Sequence, residues 1–114
     1  MHRLVFPLIA LLVAACASSP FGGHEARERG RQLAATHCSS CHATGVTGDS
    51  PAPEAPPFRD LSRNYRVDAL EEALAEGISV GHPAMPQFEF APEDVTALVE
   101  YLQSIQTADH QGAS

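Results

Sequence analysis

Cys38-Ser39-Ser40-Cys41-His42 places two thiols three positions apart, with an imidazole directly after the second. Two thiols at this spacing can add across the two vinyl groups of one haem and form thioethers. The next residue then lies beneath the iron and offers it an axial nitrogen. Ser39 and Ser40 only need to be small enough for the turn. A zinc half-site is the first rival, but a structural zinc site takes four ligands, and the chain has no second CxxC. A thioredoxin-like redox pair would need an α/β pattern, which is absent. A plain disulfide leaves His42 without a role.

A low-spin haem iron takes a second axial ligand. Met1 lies in the first residues, so Met85 is the methionine left for the folded part. It stands in Gly81-His82-Pro83-Ala84-Met85-Pro86, where flanking prolines restrict the backbone and help to aim a thioether. Thioether ligation raises the potential relative to a second imidazole. His82, three residues away, is the competing ligand. His24 and His110 sit near the ends, and His37 adjoins Cys38. An iron open on this side is the third option and would suit peroxide or gas chemistry.

The elements that must position these groups read as helices. His24 to Ala35 runs into the cysteines. Thr44 to Pro57 is loop, rich in Gly, Pro and Asp. Asp68 to Glu76 reads as a short helix with an Asp68/Glu71 capping box and Gly77 as its C-terminal cap. Pro92 suits a first helical position, with Glu93 and Asp94 in the first turn, and Val95, Leu98, Val99, Leu102 and Ile105 follow at helical spacing. No strand pattern or internal repeat is present, and the tail from Thr107 is expected to fray.

The first 15 residues read as a signal peptide, with a basic start and an apolar run too short to span a bilayer. Val13-Ala14-Ala15-Cys16 resembles a bacterial lipobox, which implies lipid on Cys16. The alternative is an ordinary cleavage at Ala15-Cys16-Ala17. Residues 16–23 read as a flexible tether, 24–106 as the domain and 107–114 as a flexible tail. Export predicts a periplasmic protein, in keeping with covalent haem attachment outside the cytoplasm. The net charge is −7, all seven basic residues are Arg, and there is no Lys. That balance argues against nucleic acid and against docking on anionic lipid; a partner that docks by charge should be basic or neutral. So short a chain buries too little surface to be comfortable without a staple or a cofactor.

Over residues 24–106 the order of helix, CxxCH, Pro-containing loop, short helix, Met loop and terminal helix resembles the class I c-type cytochromes, in particular small periplasmic bacterial members. A c-prime-type bundle is excluded, because its haem motif lies near the C-terminus. The resemblance implies an all-α cytochrome c fold of three to four helices around one covalent haem c. It implies that Gly30, eight residues before Cys38, packs against Tyr101 on the terminal helix, with Leu98 and Leu102 as apolar neighbours. Ala34 departs from the pattern, since many relatives carry an aromatic there. The resemblance also implies that the carbonyl of Pro56, with Pro57 as runner-up, accepts the proton of the far ring nitrogen of His42. Phe58, Leu61 and Leu74 would then cover the haem. Arg59, Tyr65 and Arg66 are candidate propionate partners or simply solvated residues.

The implied function is electron transfer by Fe(II)/Fe(III) cycling between redox partner proteins, with His42 and Met85 as iron ligands and no substrate transformed. A haem subunit of a periplasmic dehydrogenase or oxidase complex would carry the same residues.

Overall fold

The structure, a computed structural model, describes residues 22–77 and 84–107. Among these residues there are helices and loops and no strand. The all-α expectation holds. The leader, most of the tether, His82 and residues 108–114 lie outside the described residues.

Helix α1 spans Gly22–His37, so it begins two residues inside the stretch read as tether and runs directly into Cys38. Arg27 donates from Nε to the Gly23 carbonyl, four residues back, which ties a side chain to this first turn. A short 3₁₀ helix, Phe58–Arg63, follows the loop after the CxxCH motif. Helix α2 spans Leu70–Glu76 and ends at Gly77, whose φ of 88° suits glycine in the capping place. Helix α3 spans Pro92–Ser104, with Pro92 in its first turn beside Glu93 and Asp94.

The expected capping box of α2 is not formed. The helix starts at Leu70, its N-cap is Ala69, and no side chain caps it. Arg66 competes for the same carboxylate: it donates to both oxygens of Asp68, at 3.3 and 2.6 Å, and holds that group below the usual carboxylate range. A two-oxygen Arg–carboxylate contact outweighs one bond to a backbone N–H.

The core forms where α1 crosses α3. Gly30 and Ala34 are the buried residues of α1; Val95, Ala97, Leu98, Val99, Tyr101 and Leu102 are buried on α3. The apolar spacing read along α3 is therefore its inner face, with Ile105 half-buried just past the end. Ala34 is fully buried within the cluster of Phe58, Val67, Leu98, Tyr101 and Leu102. Ala34 thus lies wholly inside the core at the helix crossing. Arg29 of α1 also pairs with Asp94 in the first turn of α3 at 2.5 Å.

The chain end is pinned to the 3₁₀ helix. The Gln106 amide accepts from the Ser62 N–H at 2.8 Å and donates to the carbonyls of Phe58 and Leu102, each at 2.7 Å. The Thr107 N–H donates to the Arg59 carbonyl at 2.9 Å. Thr107, expected in a frayed tail, is held by its bonds to the Arg59 carbonyl.

A methyl group on Gly30 would collide with the Ala97 carbonyl and lie 2.7 Å from Cβ of Tyr101. Backbone cannot swing aside as a side chain can. Gly30→Ala should cost about 1–3 kcal/mol or more, which lowers the melting temperature by roughly 10 °C at ~4–8 °C per kcal/mol for a domain this size. Gly45 has open space around it. Gly45→Ala should stay within about 0.5 kcal/mol of the parent. Thermal unfolding of the two variants side by side checks both values.

Candidate cofactor site

Helix α1 delivers the motif. The Cys38 N–H still donates to Ala34 at 2.9 Å, in helical fashion, and the Cys38 carbonyl then accepts from both Cys41 and His42, at 3.2 and 2.9 Å. That pair of bonds closes the turn holding the two thiols and the imidazole. Ser39 donates its hydroxyl to Ala35 at 2.5 Å, so the small residues of the motif also stitch it to the helix. Cys38 and Cys41 are free thiols, both half-buried, and not a disulfide. Before a haem is attached, burial pushes the Cys38 thiol up to about 11.

The loop from Thr44 folds back over the motif. The Ala52 N–H donates to the Cys41 carbonyl at 3.0 Å, Ala43 donates to the Ser50 hydroxyl at 3.0 Å, and Phe58 donates to Ala43 at 2.9 Å. This return brings Pro56 to the motif histidine. Nδ1 of His42 lies 2.9 Å from the Pro56 carbonyl oxygen. A carbonyl only accepts, so Nδ1 carries the proton, and the lone pair of a neutral ring is then on Nε2. The resemblance implied this bond to Pro56 ahead of Pro57, and the contact is with Pro56. Phe58 is buried with its ring centroid 4.8 Å from that of His42. It therefore braces the imidazole as part of the core.

The other expected residues divide. Leu61 and Leu74 pack on the central cluster, as do Leu33, Cys38 and Phe90. Tyr65 is 45 % exposed, and Arg66 is engaged with Asp68. Arg59 differs from both: among the described residues its Nη1 is buried without a hydrogen-bond partner, and so is the hydroxyl of Ser62, three residues on. Buried donors left unpaired cost free energy, and a carboxylate would satisfy them. Met85 is half-buried in the segment that leads into α3. His24 is exposed on α1.

Sequence reasoning missed two groups here. Gln106 has no signal at all, since one Gln at the end of a helix looks like any solvated residue. His37 with Phe88 and Phe90 had one: two aromatics two apart in an extended stretch face the same side.

The donor set suits haem. There are two uncrosslinked thiols, an imidazole with its outer nitrogen free and inner nitrogen fixed, apolar side chains around them, and an unpaired buried guanidinium for a carboxylate. Among the described residues no three His, Cys, Asp or Glu side chains stand together as a direct metal site, so the zinc reading of the CxxC lacks partner ligands there. Helix order and motif geometry define a c-type cytochrome. The chain belongs to the cytochrome c family, whose profile matches residues 27–106. It carries covalently attached haem c, its activity is haem-based electron transfer, and its partners are redox proteins. No curated protein and no solved structure matches the chain.

The buried Tyr101 donates its hydroxyl to the Thr44 carbonyl at 2.6 Å, which fastens α3 to the loop that carries Pro56. Burial raises this phenol above its ordinary value, against a smaller lowering by Arg31. Its contribution to stability is therefore complete below the unfolded phenol's value of about 10 and is lost as pH rises above that through the folded value. Tyr101→Phe should cost about 1 kcal/mol at neutral pH and flatten the alkaline fall in stability. Denaturant unfolding at neutral and strongly alkaline pH checks both parts.

Proposed function

We propose that this protein is a periplasmic single-electron carrier, with haem bound through thioethers to Cys38 and Cys41 and iron held between Nε2 of His42 and the thioether of Met85. The 2.9 Å contact between Nδ1 of His42 and the Pro56 carbonyl carries this reading. It fixes the tautomer and ring plane and makes the outer nitrogen a better donor. Bound haem supplies an iron that cycles between Fe(II) and Fe(III).

The chain's part is to keep that environment constant. Phe58 limits rotation of the His42 ring, and the apolar residues of the central cluster lower the local dielectric. Arg59 is the propionate partner the side chains favour, because its buried Nη1 has no other acceptor among the described residues. With His42 and Met85 both holding the iron, little would rearrange on oxidation and no coordination position would be left for a substrate. The protein therefore acts as a carrier rather than an enzyme.

Met85→Ala should abolish the long-wavelength sulfur-to-iron charge-transfer band of the oxidised protein and lower its midpoint potential, while His82→Ala leaves both unchanged. The reverse pattern moves the sixth ligand to His82.

Export and anchoring rest on the leader, with lipid on Cys16 holding the domain at a membrane facing the periplasm. Among the described residues no helix is long and apolar enough to cross a membrane. Mass spectrometry of the mature protein should give one haem adduct and an acylated N-terminal Cys16. A mature chain lacking Cys16 would make it a free carrier.

A further inference from the structure

Among the described residues, positions 84–90 make no backbone hydrogen bond, although this segment bears Met85 and leads into α3. Its attachment to α1 is aromatic. The ring of His37, the last residue of α1, meets Phe88 edge-on with centroids 5.7 Å apart and Phe90 edge-on at 5.5 Å. Phe88 and Phe90 stack on each other at 5.7 Å with 29° between their planes. Phe90 also packs against the central cluster, so the three rings connect the segment to the core. These are the offset and edge-to-face arrangements that aromatic quadrupoles favour. One end of the contact is next to Cys38, and the other lies three to five residues after Met85.

We propose that His37, Phe88 and Phe90 form a clasp that positions Met85, so that the hold on the sixth ligand is set by three rings outside the coordination sphere as well as by the sulfur itself. This rests on the reading of Met85 as that ligand. His37 is a positioning residue: it acts through the two phenylalanines, and its exposure lets it be replaced without opening the core.

The test uses the oxidised holoprotein, with added imidazole competing for the Met85 position and the sulfur-to-iron charge-transfer band as the readout. His37→Gln and Phe88→Ala should lower the imidazole concentration that removes half the band by roughly two- to tenfold, the range that aromatic contacts of ordinary strength give. His37→Phe, which restores a ring, should return the titration to within about twofold of the parent. A purely structural role would lower the melting temperature of His37→Gln and leave the imidazole titration where it was; that result overturns the clasp. Met85→Ala separates the two ideas. A band that survives this substitution sinks the ligand reading and the clasp with it. A band that vanishes there, with unchanged titrations in His37→Gln and Phe88→Ala, sinks the clasp alone.

Discussion

The close approach of α1 to α3 at Gly30 is the constraint on which the rest of this small domain depends. With a hydrogen in place of a methyl, the α1 backbone lies against the Ala97 carbonyl and Cβ of Tyr101. Helices that close share their buried faces directly, which is how a domain with few large apolar residues still makes a core. The crossing also fixes where α1 ends. Cys38 follows His37 without a break, and its carbonyl closes the turn that presents Cys41 and His42. Tyr101 sits on the same crossing and reaches the Thr44 carbonyl, so the loop carrying Pro56 is anchored to the helix pair that carries the cysteines. One glycine thereby sets the spacing of three separate parts of the site.

What was legible in the sequence was whatever depends on local spacing. The CxxCH motif is contiguous, α3 spans three turns with a regular apolar stripe, and Pro92 and Gly77 mark helix ends by the φ they impose or permit. Pro56 was legible for a different reason: a resemblance in the order of elements supplied a partner fourteen residues from His42 that no local pattern could have named. The capping box at Asp68 failed because a spacing rule sees one carboxylate and one backbone N–H. It does not see Arg66, two residues earlier, competing for the same oxygens. Gln106 and Thr107 were opaque because their partners, Phe58, Arg59 and Ser62, lie more than forty residues away in the chain.

Phe58 shows how one buried residue can serve several parts of the site at once. The expectation was that it covers the haem. Its closest aromatic neighbour is the His42 ring, and it also belongs to the central cluster. Its backbone N–H bonds to Ala43, and its carbonyl receives the Gln106 amide. The residue therefore links the motif, the 3₁₀ helix and the chain end. Its burial next to the imidazole restrains the ring in one direction while the Pro56 carbonyl restrains it in another.

The two proposed axial ligands are held by forces of different character. His42 is fixed by directional bonds: a backbone bond to Cys38, a ring bond to Pro56 and a ring packed on Phe58. Hydrogen bonds weaken steeply with angle, so this side has one favoured geometry. Met85 sits in a segment tied down by rings, and ring contacts tolerate small slides because their energy varies gently with offset. A directional hold on the nitrogen and a compliant hold on the sulfur divide the work of a carrier. The Pro56 bond fixes the plane and tautomer of the His42 ring. With Met85 as the sixth ligand, the ring-held side would allow the sulfur small shifts without breaking any hydrogen bond that defines the fold.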